Sequence, residues 1–111
     1  MLNYSTTSSK NRLNQYVMKE IMEATPQQLL IKIYDFAILN CKKNDLAKTT
    51  AAIQELINAL KFDDQCRETA TGFYKLYLFC QEEMRKKNYD NVLKILSELR
   101  ESWINAFNSI K

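Results

Sequence analysis

The stretch Ala24-Thr25-Pro26-Gln27-Gln28-Leu29-Leu30-Ile31-Lys32-Ile33-Tyr34-Asp35-Phe36-Ala37-Ile38-Leu39-Asn40-Cys41 decides the fold. It opens with helix-start chemistry. Thr25 is placed to cap, Pro26 suits the first helical position, and Gln28 reaches back to complete a capping box. The remainder of the stretch is too apolar for one buried face. At helical spacing the apolar side chains from Leu29 to Cys41 sweep an arc of roughly 220°, where a core-facing stripe needs about 100°. A helix of this kind buries two sides, one against its own core and the other against a partner.

Outward from this helix, the rest of the chain reads as more helices. With 111 residues there is enough sequence for one domain and one core. The single glycine, Gly72, and single proline, Pro26, are too few for a sheet protein, whose turns consume both. The opening helix spans about 26–44, and the turn Lys43-Asn44-Asp45 comes next, with Asp45 set to cap the second helix. Leu46, Thr50, Ile53, Ile57 and Leu60 then form a seam at 3–4 spacing over about 46–60. Residues 61–68 read as a loop around Asp63-Asp64. A third helix over about 69–87 begins at Thr69 as its cap and carries Phe73, Leu76, Tyr77, Cys80 and Met84 on one side. Asn88 ends it. The fourth, about 90–109, has the cleanest repeat: Val92, Leu96, Leu99, Trp103 and Ala106. Ahead of all four, residues 1–9 read as a disordered polar tail, and Leu13, Tyr16, Val17 and Ile21 make 10–23 a short amphipathic helix that ends before Pro26. The expectation is therefore all-α: an antiparallel four-helix bundle over 26–109 with a short N-terminal helical cap.

Composition narrows the function. Histidine is absent, which removes the commonest general base and metal ligand, and a di-metal Glu/His bundle with it. One glycine cannot build a phosphate-binding loop. The carboxylates Glu82, Glu83, Glu98 and Glu101 sit at helical spacing and read as solvated, so no catalytic residue, cofactor or metal is expected. The net charge of +3 is mild and its cations are scattered among acids, against a nucleic-acid stripe. The densest basic run, Arg85-Lys86-Lys87, reads as cations offsetting the dipole at a helix C-terminus. Cys41, Cys66 and Cys80 lack CxxC spacing and fit a reducing compartment; Cys41 and Cys80 fall on apolar stripes, whereas Cys66 lies in a polar connection. No apolar run approaches the ~20 residues that span a bilayer, and no secretory leader is legible, so a cytoplasmic location is expected.

The excess lies in apolar surface: 46% apolar residues, with six tyrosines and five phenylalanines. Aromatic rings give large contact area at low entropic cost and are enriched at interfaces. Tyr34, Tyr77 and Trp103 read as core, together with Leu30, Ile53, Ile57, Leu96 and Leu99. Phe36 and Phe79 lie at the edges of their apolar arcs and read as interface.

Four segments, in order over about 13–107, carry a resemblance. Ala24-Thr25-Pro26-x-x-Leu29, then Ile33-Tyr34-Asp35-x-Ala37, is similar to the Ala-Ser-Pro-x-x-Leu and Leu-Tyr-x-Gly-Ala signature of the FliS family of flagellin export chaperones. Phe73-Tyr74-x-Leu76-Tyr77-x-Phe79 resembles that family's Leu-x-x-Leu-Tyr-x-Tyr segment. Leu99-Arg100-Glu101-Ser102-Trp103 resembles its terminal (Leu/Phe)-Arg-Asp-x-Trp, and Tyr16 matches the tyrosine of its N-terminal segment. The chain departs from the pattern at Phe36, where a small residue is usual, and at Gly72, where a larger polar one is common.

The resemblance implies a cytosolic chaperone, without catalytic activity or cofactor, that binds the disordered C-terminal segment of flagellin, blocks premature polymerisation and aids export. Export-gate or regulatory flagellar proteins would be further partners. The expected client contacts are Leu29, Ile33 and Phe36 on the first helix, Leu56 on the second, and Leu76 and Phe79 on the third, with Leu13 and Tyr16 of the N-terminal segment covering the groove. The competing expectation from the same apolar surplus is a structural or regulatory bundle that self-associates, a homodimer being its simplest form.

Overall fold

The helices begin and end where local side chains satisfy the backbone. In the computed structural model, which describes residues 25–109, helix α1 spans Pro26–Lys42, α2 Leu46–Asn58, α3 Arg67–Arg85 and α4 Tyr89–Ser109. Thr25 Oγ1 accepts from the Gln28 amide at 3.1 Å, and Gln28 Oε1 accepts from the Thr25 amide at 3.0 Å, so the capping box is complete. Asp45 caps α2 through the Lys48 amide at 2.9 Å. Residues 1–24, with the expected tail and the helix carrying Leu13 and Tyr16, lie outside the described residues.

Two turns close the hairpins α1–α2 and α3–α4, and they share one design. Asn44 (φ 58°) and Lys87 (φ 64°) adopt the left-handed conformation one residue past each helix cap. Asn44 N donates to Cys41 O and Asp45 N to Asn40 O; Lys87 N donates to Met84 O and Asn88 N to Glu83 O. These are Schellman pairs, which satisfy the last carbonyls of a helix. Asparagine tolerates this conformation; lysine does not favour it. Lys87→Gly is expected to stabilise the protein by about 0.5–1 kcal/mol, the relief of left-handed strain outweighing glycine's larger unfolded-state entropy. Urea denaturation with an unchanged slope checks it.

Four boundaries differ by two residues from the sequence expectation. α1 stops at Lys42 and α3 at Arg85, where the left-handed Asn44 and Lys87 close their turns, and α2 stops at Asn58. α3 starts at Arg67, and Thr69 lies inside it rather than capping it. The cause is Asp63, whose carbonyl and carboxylate both accept from Cys66 N, at 3.1 and 3.0 Å, and so begin the turn two residues early.

The helices form a ring in chain order: α1 packs on α2 and α4, and α3 packs on α2 and α4. Contacts from α1 to α4 run in opposite directions, Asp35 to Arg100 and Cys41 to the carbonyl of Tyr89, so these neighbours are antiparallel. Across the diagonal, Tyr34 meets Tyr77 and Cys41 meets Met84, two contacts with the same offset, so α1 and α3 run parallel. The described residues are thus an all-α antiparallel four-helix bundle, the architecture the seams imply. Its centre holds Tyr34, Ile53, Leu56, Tyr77, Met84, Val92 and Leu96, each at most 1% exposed. Leu30, Ile57, Leu99 and Trp103 pack half-buried around it.

Candidate partner-binding surface

A polar knot in the centre fixes how the helices present their sides. Tyr34 Oη accepts from Trp103 Nε1 at 3.1 Å and shares a 2.6 Å hydrogen bond with Tyr77 Oη. Three helices, α1, α3 and α4, are joined by these three side chains. Burial raises the pKa of both tyrosines, so both hydroxyls stay neutral, and each has its hydrogen-bond partner within the knot. Phe73 stacks on Trp103 with ring centroids 5.3 Å apart, and Phe107 lies beyond, 5.6 Å from Trp103. Just outside, Arg100 Nε pairs with Asp35 at 2.5 Å.

The two flanks of α3 are identified by their contacts. Gln81 Nε2 donates to Gln54 Oε1 at 3.2 Å, so the Gln81 flank faces α2. Glu83 accepts from Asn91 Nδ2 at 3.1 Å and from Asn88 Nδ2 at 3.3 Å, so the Glu83 flank faces α4. Those two hydrogen bonds also lower the Glu83 pKa. Residues three, four and seven apart share a helix stripe. Gly72, Leu76 and Phe79 therefore border the α3–α4 groove, and Tyr74 and Leu78 border the α2–α3 groove, where Phe62 meets Tyr74 edge-on at 6.2 Å. On α1, Asp35 marks the α4 flank; Leu29, Ile33 and Phe36 lie on the flank toward α2, and Leu39 lies on the outer face.

Large apolar side chains thus stand in the open around the bundle. Phe36 is 49% exposed on the α2 flank of α1, Phe79 48% on the α4 flank of α3, Leu39 51% on the outer face of α1, and Tyr74 and Leu78 about 40% between α2 and α3. At the end of the bundle where α1 begins, an apolar cavity of about 310 Å³ opens among Leu30, Leu56, Leu60, Phe73 and Trp103. Lys61 and Cys66 stand at its rim.

The expected contact residues do not converge on one groove. Leu29, Ile33 and Phe36 share the α1–α2 side; Leu76 and Phe79 share the α3–α4 side, opposite it in the ring. Leu29, Ile33 and Leu76 are half-buried. Leu56 is a correction. It is 1% exposed and belongs to the core, because its position on α2 points between the hairpins; it reaches the outside only as part of the cavity wall. Sequence reasoning misses Leu39, Phe62, Tyr74 and Leu78 as exposed groups. The 4-residue step from Tyr74 to Leu78 is legible, but it resembles a core stripe until α2 is placed. Leu13 and Tyr16 lie outside the described residues.

Other chemistry is sparse. Among the described residues no three His, Cys, Asp or Glu side chains come together to hold a metal, and no helix is long and apolar enough to cross a membrane. Burial pushes the Cys80 thiol up to about 12 and raises Cys41, which makes both poor nucleophiles. Cys66 is exposed, and hydrogen bonding to Asp63 raises its pKa as well. Comparison with protein-family models, curated proteins and solved structures returns no match.

Proposed function

We propose that this chain is a cytoplasmic chaperone for a disordered segment of another protein, and that the client is the C-terminal segment of a flagellin, held unpolymerised ahead of export. One observation carries the reading: large apolar side chains stand 39–51% exposed on several sides of the bundle, Phe36 and Leu39 on α1 and Tyr74, Leu78 and Phe79 on α3. A rigid globular partner would engage one side. A segment that folds as it wraps meets several, with anchors at i, i+3/i+4 and i+7 along each groove. The resemblance to the FliS family supplies the identity of the client. Its motifs also come together here: Tyr34, Tyr77 and Trp103 share one hydrogen-bonded knot, and Asp35 pairs with Arg100. The chain acts without catalysis on this reading, and export-gate or regulatory flagellar proteins are its further partners.

The N-terminal segment is proposed to shield the apolar surface until the client arrives. It joins the domain at Thr25, close in sequence to Leu30 on the cavity wall, and Leu13 and Tyr16 are the side chains proposed to cover it.

Calorimetry with a flagellin C-terminal peptide tests the client. The expected result is tight binding with a strongly negative heat-capacity change, as burial of about 1,000–3,000 Å² in coupled folding requires. Deletion of residues 1–23 is expected to tighten that binding; unchanged or weaker binding removes the shielding role. A stable dimer that ignores the peptide would establish self-association in place of the chaperone reading.

A further inference from the structure

The bundle end that holds both Schellman turns collects a set of lysines. The turns adjoin, since Cys41 Sγ lies 3.4 Å from the carbonyl of Tyr89 and one polar cleft of about 430 Å³ is shared by Asn44 and residues 87–91. Lys42, Lys43 and Lys48 come from one hairpin, Arg85, Lys86 and Lys87 from the other, and all six are exposed. Arg85 is held by Glu82 at 2.8 Å; the five lysines form no ion pair among the described residues. The local carboxylates offset them only in part: Asp45, Glu82, Glu83 and Asp90 stand against six cations, and Lys86 acts on Glu83. Glu83 is 7% exposed and turned to Asn88 and Asn91, and Asp45 is engaged with the Lys48 amide. Asp90 is the remaining acid of the described residues at this end.

Helix dipoles do not account for this surplus. A cation at a C-terminus offsets the negative end of its own helix. Here two C-termini, of α1 and α3, lie beside two N-termini, of α2 and α4, so the four partial charges cancel.

We infer that this end is a docking site for an acidic polypeptide segment of another protein, separate from the exposed apolar side chains of the helix flanks. The cleft suits a polypeptide. Asn44 offers its side-chain amide, and Asn88 and Asn91, whose Nδ2 groups donate to Glu83, offer side-chain carbonyls to peptide N–H groups; Lys87 of the lining, beside Asp90, and the lysines around the cleft meet carboxylates. Nucleic acid is less well served: the one arginine is tied to Glu82, and Tyr89 is half-buried, so no open stacking platform exists among the described residues of this end. A bilayer would want a broad apolar face beside the lysines, and Leu39 and Leu46, 51% and 40% exposed, are the large apolar groups in the open near this end among the described residues.

Fluorescence anisotropy of the full chain with a labelled decaglutamate peptide tests this. Binding is expected to weaken by about tenfold as salt rises from about 50 to 200 mM, and by about tenfold or more in the double variant K43E/K86E, whose two positions are exposed and have ordinary helical φ. The neutral pair K43Q/K86Q should fall between. Far-UV circular dichroism and the flagellin-peptide affinity should stay unchanged in both variants. The inference is overturned if the peptide fails to bind at about 1 mM, well beyond a typical weak-encounter affinity, or if K43E/K86E binds it as the parent does. It is equally overturned if an oligothymidylate strand or phosphatidylglycerol vesicles bind more tightly than the peptide.

Discussion

Leu56→Ala is expected to cost about 2–3 kcal/mol of folding stability, lowering the melting temperature by roughly 10–15 °C. Leucine-to-alanine changes in cores cost about 2–5 kcal/mol, through lost transfer free energy and the void left behind. Leu56 is 1% exposed and packs with Tyr34, Ile53 and Tyr77 in the central cluster, so the full transfer loss applies. The void is less costly than in a sealed core, because Leu56 already borders the 310 Å³ cavity and the new space opens into it. That places the cost toward the lower end of the range. A residue serving only as a partner contact would change stability by about 1 kcal/mol at most. Urea and thermal unfolding of the single variant distinguish the two roles, and a loss below about 1 kcal/mol would return Leu56 to the surface set.

Phe36→Ser and Phe79→Ser are expected to do the reverse. Each ring is about half exposed, 49% and 48%, so its removal forfeits half of a phenylalanine's burial, about 1 kcal/mol of stability or less. Each should cost a wrapped client far more. An anchor that becomes fully desolvated contributes about 2 kcal/mol or more, roughly thirtyfold in affinity. The two rings lie on opposite sides of the ring of helices, with no shared contacts, so their effects should multiply to about a thousandfold in the double variant. Peptide titration of both single variants and the double decides the geometry of binding. Multiplied losses mean that one client touches both grooves. A loss confined to one variant restricts the client to one side, and no loss in either removes the proposed client surface.

The same two side chains mark how far the sequence can be read. Their place at the edge of an apolar arc is a property of one helix, so 3.6-residue spacing alone puts Phe36 and Phe79 outside the core. That they face opposite grooves depends on the neighbour each flank meets. This becomes visible only through Asp35–Arg100 on α1, and Gln81–Gln54 and Glu83–Asn91 on α3. Leu56 misleads for a related reason. It stands three residues from Ile53 and one from Ile57, inside an apolar arc whose edge and middle look alike until both flanking helices are in position.

The chain by itself determined what is local. Thr25, Pro26 and Gln28 start α1, Asp45 starts α2, and the 3–4 seams require four helices packed on one core, because caps and spacing act within a turn or two of backbone. The tertiary structure alone decided what lies far apart in sequence: the Tyr34–Tyr77–Trp103 knot, the distribution of exposed apolar groups around the bundle, and the gathering of Lys42, Lys43, Lys86 and Lys87 at one end where the helix dipoles cancel. Burial and electrostatic field are sums over neighbours in space, and the neighbours are set only once the helices close into a ring.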